Sequence, residues 1–166
     1  MSQTKSALIP EQFPLVNESD YVQLSRLVLE HAWRADNGRA DTIHELYVDY
    51  GVLDLPPAPL RGHQAIHDWG RQLIEAPPWR IIRHVCGNMR FVATGDNTAE
   101  GTTVLTVFMV AGPAVPATQP FTVGEDRDQF VRTEKGWRFV SRRWVELFAR
   151  GDTLNLPSQA NPNPER

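Results

Sequence analysis

The sequence predicts an α+β domain in which three helices precede a strongly curved, mostly antiparallel sheet. Apolar residues recur at helical spacing only in the first half of the chain. The second half holds long runs rich in Val, Thr and Phe, residue types that favour strands. Between those runs stand Gly, Asp and Asn clusters that read as turns. Helices gathered ahead of a bent meander pack on one face of its sheet. The space between the helices and a concave sheet is the kind of place where small-molecule sites form.

Residues 1–18 are polar, carry two prolines and read as a flexible arm. The first helix is expected over 19–36. Asp20 and Gln23 form a plausible capping pair, and Val22, Leu24, Leu27, Val28, His31 and Ala35 fall near one stripe. Asn37-Gly38 ends it, because glycine tolerates the left-handed backbone of a helix C-cap. A short second helix starts at Asp41 and turns Ile43, Leu46 and Tyr47 inward. Residues 49–55 read as a strand stopped by Pro56-Pro57-Ala58-Pro59. Gly62 opens a third helix over 63–75, with Ile66, Trp69, Gly70 and Leu73 as its apolar face and Pro77-Pro78 as its end. Strands are then expected over 80–94, 98–110, 121–133 and 137–148. Gly95-Asp96-Asn97 and Glu134-Lys135-Gly136 serve as turns, and the uncharged, proline-bearing stretch 111–120 as a loop. The chain thus reads as one domain over 19–150, with a Pro-, Asn- and Ser-rich tail over 151–166.

Composition narrows the function. A net charge of −3 leaves no basic excess to hold phosphates, which argues against nucleic acid as a partner. No apolar run reaches the ~18 residues of a membrane span. The first twenty residues lack the apolar middle of a signal peptide, and the single cysteine excludes an internal disulfide framework, so a cytoplasmic setting is expected. What remains to explain is a stock of five histidines and five tryptophans.

Several constellations could carry chemistry. Asp36 ends the first helix and His84 stands early in the long strand, so both can converge at the cavity mouth. A carboxylate fixes the imidazole tautomer and leaves the other ring nitrogen free to take a proton. Read structurally, Asp36 bonds the Asn37-Gly38 turn and His84 is a satisfied core histidine. His31 is either a donor to a substrate oxygen or a partly buried helix histidine. His63 and His67 have the i,i+4 spacing of two metal ligands but no obvious third, so they read as solvated or capping residues and no metal is expected. Strand alternation places Trp137, Phe139, Ser141, Arg143 and Val145 on one face, where Arg143 either pairs or touches substrate. It places Arg138, Arg142 and Glu146 on the other face. Cys86 and Asn88 share the His84 face, the first as cavity wall, the second as a hydrogen-bonding group.

Three stretches resemble the SnoaL-like branch of the nuclear transport factor 2-like superfamily. They are Tyr21 to Tyr50, with Ala-Asp-Asn-Gly-Arg-Ala-Asp and Leu-Tyr-Val-Asp-Tyr; Leu60-Arg61-Gly62-His63-Gln64-Ala65-Ile66; and Arg83-His84-Val85-Cys86-Gly87-Asn88 with the later Glu134-Lys135-Gly136-Trp137-Arg138-Phe139. They span residues 20–148. The resemblance implies a cone-shaped α+β barrel. Within that superfamily the pattern is similar to scytalone dehydratase, bile-acid 7α-dehydratase and hexachlorocyclohexane dehydrochlorinase, and it implies Asp36 and His84 as the base of a cofactor-free elimination. It implies His31 as the polar residue one turn before the aspartate and Arg143 as the arginine of the last strand. The tyrosine of the dehydratases falls at Leu55 here, and no histidine follows His84, so the leaving-group step would fall to His31.

The leading expectation is a cofactor-free lyase or isomerase acting on a small hydrophobic cyclic, polyketide- or steroid-like substrate. His31 or Tyr47 would donate to its oxygen, and Trp33, Trp69, Phe108 and Trp144 would wall the pocket. Epoxide hydrolysis or polyketide ring closure is the second. Hydrolysis would draw on Asp128, Arg143 and Glu146, which alternation does not put on one face. The third is a non-catalytic binding or association module. Val and Phe alternation on the outer sheet face suggests a homodimer or homotrimer in each case.

Overall fold

The computed structural model describes residues 14–111 and 119–149. The expected arm up to residue 13, the tail beyond 149 and most of the 111–120 loop lie outside the described residues. Helix α1 spans Glu18–Asp36 and buries Leu24, Leu27, Val28 and Ala32. Its N-cap is Asn17, whose side chain accepts from the Asp20 N–H at 2.9 Å, and not the expected Asp20. Asp20 is instead buried. Its carboxylate accepts from Trp137 Nε1 at 3.0 Å and pairs with the Arg132 guanidinium, which ties the start of α1 to the middle strands of the sheet. Part of the expected arm is also fixed, since Leu15 bridges to Val92 and the Val16 N–H donates to the Phe91 carbonyl.

The expected short second helix is a 3-10 helix, Ala40–Leu46. Arg39 and not Asp41 stands at its N-cap, with no side-chain cap. Helix α2, Gly62–Glu75, turns Ile66 and Gly70 fully inward. At Gly70 the backbone of Ala40 comes so close that an added Cβ would lie 2.1 Å from its carbonyl oxygen.

Six strands follow the expected order, with one addition. They are β1 Tyr47–Asp54, β2 Leu60–Arg61, β3 Ile81–Gly95, β4 Thr98–Val110, β5 Thr122–Thr133 and β6 Gly136–Ala149. The two-residue β2 is too short to leave a sequence pattern. It pairs with β1 just after the proline run. The sheet order is β2-β1-β6-β5-β4-β3, with β1 and β6 parallel and every other pair antiparallel. The helices lie on one side of this curled cone, whose edges β2 and β3 stay unjoined, so the barrel is open.

Two bulges decide which side chains face inward. In β6, Ser141 pairs with Gln129 but Phe139 with Phe130, leaving Val140 as an extra residue. An inserted residue flips the alternation beyond it. Trp137 and Phe139 are therefore buried before the bulge, and Arg142 is buried after it, while Arg143 is exposed. This corrects the face assigned to both arginines. In β3, the pair Asn88 and Met89 opposes a single β4 residue, Thr103, and Asn88 takes the left-handed φ of 46°. Asn88 is consequently exposed and does not continue the His84 face.

The main core joins α1, α2 and the inner sheet face around Leu24, Ile43, Tyr47, Ile66, Phe91, Phe130 and Phe139. A second apolar cluster of Ile82, Leu105, Val107 and Met109 stands apart from it. No helix among the described residues is long and apolar enough to cross a membrane.

Candidate functional site

Asp36 and His84 meet. The Asp36 Oδ1 lies 2.6 Å from His84 Nδ1, and its Oδ2 accepts the His84 backbone N–H at 2.9 Å. The pair is well shielded, the side chains being 8% and 18% exposed. Helix termination makes this possible. Asn37 takes over the capping work, its side chain and backbone N–H both donating to the Trp33 carbonyl, and Arg83 donates to the Asp36 carbonyl at 3.2 Å. The Asp36 side chain is thereby released toward β3. A carboxylate only accepts, so Nδ1 carries the proton and Nε2 presents its lone pair. Asp36, His84 and the half-exposed Trp33 line an open groove of about 900 Å³ along α1.

His84 shares its strand face with Ile82 and Cys86, and through the ladder with Val107 and Thr122. Trp79, Cys86, Phe121 and Trp144 pack against the second apolar cluster on this face. The β3 and β4 residues beside His84 on this face are thus largely apolar. Burial pushes the Cys86 thiol up to about 11, which keeps it protonated at neutral pH.

Below the helix, His31 Nε2 lies 3.2 Å from the Tyr47 hydroxyl, and both rings pack on Phe139. Desolvation first, then the charges of Arg142, His84 and Arg34, hold the His31 pKa well below its usual value. Burial likewise holds the Tyr47 phenol well above its ordinary range. Both groups stay neutral and offer hydrogen bonds.

The inner faces of β5 and β6 hold a buried charge set that sequence alternation did not reveal. The Arg142 guanidinium forms a fork with Asp128, at 2.8 and 2.7 Å, and stands 3.5 Å from Asp126 and over the Phe139 ring. Desolvation raises both carboxyls, Asp126 to about 6, against the opposing pull of Arg142. The signal for these aspartates was present: Asp126 and Asp128 share parity with Phe130, which a core strand must point inward.

The other expected site residues disperse. Leu55 and Trp69 pack against the main core. Phe108 alternates with the buried Val107 and Met109 and so stands on the opposite face. Arg143 is two-thirds exposed, 3.7 Å from Asp54, and Glu146 accepts from the Thr122 hydroxyl. His63 Nε2 approaches the Tyr47 carbonyl at 3.0 Å, His67 lies beside Asp68, and the His44 ring packs edge-on against both imidazoles. Among the described residues, no group of three or more His, Cys, Asp or Glu side chains is arranged to hold a metal ion.

Comparison with known proteins agrees with this architecture. The SnoaL-like domain family matches residues 18–143. A candidate scytalone dehydratase from Novosphingobium aromaticivorans superposes with a TM-score of 0.70 at 14% identity, covering 81% of this chain and 89% of that one. Hexachlorocyclohexane dehydrochlorinase LinA-type3 from Novosphingobium barchaimii gives 0.66 at 13% identity, covering 80% and 89%. An NTF2-like protein with a cystatin-like fold, also from N. aromaticivorans, gives 0.64 at 25% identity, covering 80% and 85%. No curated protein matches the chain.

Proposed function

The chain belongs to the SnoaL-like domain family, and from that premise we propose that it is a cofactor-free enzyme, a lyase or isomerase that removes a proton from a small hydrophobic substrate. The observation that carries this reading is the doubly anchored His84. Asp36 accepts from both its ring and its backbone. The imidazole therefore has one orientation and one tautomer, and Nε2 is the base. As the proton arrives, the adjacent carboxylate stabilises the imidazolium. The apolar cluster beside His84 suits a cyclic or polyketide-like molecule whose acidic C–H lies next to a carbonyl. His31 and Tyr47 share one hydrogen bond, and the neutral pair keeps one further N–H or O–H for an oxygen on the helix side. Neighbours of the same fold include a hexachlorocyclohexane dehydrochlorinase, which is consistent with elimination chemistry.

The test is deuterium uptake at the carbon next to the carbonyl of small cyclic ketones in heavy water, followed by NMR. His84→Ala is expected to lose about 10²–10⁴-fold in exchange rate, and Asp36→Asn a similar order, with far-ultraviolet circular dichroism unchanged. Exchange at the wild-type rate in both variants would refute the reading. Water addition to an epoxide is a second reading, favoured by one observation, the Asp126–Arg142–Asp128 set of two carboxylates about one arginine. Solvent ¹⁸O in the product identifies it.

A further inference from the structure

A base that starts an elimination needs a partner when the departing group is a hydroxide, because hydroxide leaves readily only as water. His31 and Tyr47 do not fill that role: burial keeps the imidazole neutral and the phenol weakly acidic. The sheet offers another group. The inner face of β4 carries Ala99, Gly101, Thr103, Leu105, Val107 and Met109, and Thr103 is the one residue there with a polar side chain. It is wholly buried, and its hydroxyl has no hydrogen-bond partner. Directly opposite it in register stands Asp126 on β5, which on its other side faces Trp144.

Asp126 is itself only 4% exposed. The Arg142 fork is spent on Asp128 and reaches Asp126 only at 3.5 Å. Arg142 from β6, Asp128 from its own strand and His84 from β3 act on Asp126, and the neutral Tyr47 and Cys86 also lie within reach of its charge. The unpartnered Thr103 hydroxyl and Asp126, held only by the longer contact to Arg142, are therefore register neighbours on the same sheet face as His84. Buried polar groups are nearly always paired, so an exception calls for an explanation.

We propose that Thr103 and Asp126 receive a hydroxyl of the substrate and that Asp126 is the acid that protonates it. This rests on His84 as the base, and it names the substrate class as small hydrophobic β-hydroxy carbonyl compounds and the reaction as dehydration or its reverse. His84 Nε2 takes the proton from the carbon beside the carbonyl. The C–H electron pair becomes the new C=C bond. The bond from the β-carbon to its hydroxyl breaks, and the departing oxygen takes the Asp126 proton and leaves as water. The imidazolium then returns a proton to Asp126 through solvent, so no oxidant or co-reactant is consumed. Burial that raises Asp126 keeps part of it protonated near neutrality.

Two probes separate the roles, 3-hydroxycyclohexanone and 3-(4-nitrophenoxy)cyclohexanone, the second losing a phenolate that needs no acid. Asp126→Asn is expected to slow the hydroxy probe by about 10²-fold or more, and by at least about 10-fold more than the nitrophenoxy probe. His84→Ala is expected to slow both alike. Equal losses on the two probes in Asp126→Asn, or none, overturn the assignment while leaving His84 as base. If wild type turns over neither probe, the base reading fails for this class, and Asp126 is judged by binding. Cyclohexanol should then bind at least about 10-fold more tightly than methylcyclohexane. That preference should be lost in Asp126→Asn and in Thr103→Val and kept in His84→Ala, with binding followed by tryptophan fluorescence. Absence of the preference in wild type, or its survival in both variants, overturns the proposal.

Discussion

Replacing Arg142 by methionine should destabilise the domain strongly and in a pH-dependent way. Methionine keeps much of the volume over Phe139 but removes the counter-ion of two buried carboxyls, Asp126 and Asp128. Breaking a buried pair from one side costs about 3–5 kcal/mol. For a domain of this length that is roughly 10–15 °C in Tm. The sign of the pH effect follows from the carboxyls. Both pKa values are already raised in the fold, chiefly by desolvation, and losing Arg142 raises them further. A carboxyl raised above its unfolded value of about 3.9 carries no penalty below that value. As pH climbs through the window up to the folded pKa, the unfolded chain releases its protons first and stability falls. Arg142→Met should therefore lie near wild type at pH 4.5 and show its full deficit at pH 8. Urea unfolding at the two pH values measures it. Adding Asp126→Asn and Asp128→Asn should recover most of the loss, since neutral amides need no counter-ion. A deficit below about 1 kcal/mol at pH 8, or one of equal size at both pH values, would refute the reasoning.

Two further outcomes follow from the packing. His31 has its folded pKa depressed by burial, so the stability tied to its neutral form is complete above about pH 6.5 and is lost as pH falls below it, by up to ~1.4 kcal/mol per pH unit; His31→Phe should flatten that slope in urea titrations at pH 7 and 5, and an unchanged slope counts against a buried neutral imidazole. Gly70→Ala, which on an open helix surface would stabilise, should here cost about 1–3 kcal/mol, because the new Cβ meets the Ala40 backbone; a Tm equal to or above wild type would show that the contact yields freely.

Periodicity and punctuation made most of the fold legible. The run 98–110 coincides with β4, and Asn37-Gly38 and the proline pair at 77–78 mark where the helices stop. The Asp36–His84 encounter was readable because each residue sits at an end or start that the sequence punctuates. What escaped depends on partners remote in the chain. Asp20 looks like a cap because aspartate favours that position, yet it is claimed by Arg132 and Trp137, more than a hundred residues away. The parallel pairing of β1 with β6 and the two-residue β2 leave no local mark. Arg142 and Arg143 exchange roles because strand alternation assumes an unbroken ladder, and Val140 breaks it. Asn88 leaves its expected face for the same reason.

The bulge at Val140 divides β6 into two independently addressed halves. Before it, Trp137 and Phe139 belong to the hydrophobic centre that holds the helices. After it, Arg142 joins the buried charge set with Asp126 and Asp128, and Trp144 packs against the second apolar cluster. Removing or adding one residue at that joint would exchange the buried arginine for its neighbour while the first half kept its register. The strand thus carries a frame-shift point for its buried charge set, whose make-up depends on strand length as well as on side-chain identity.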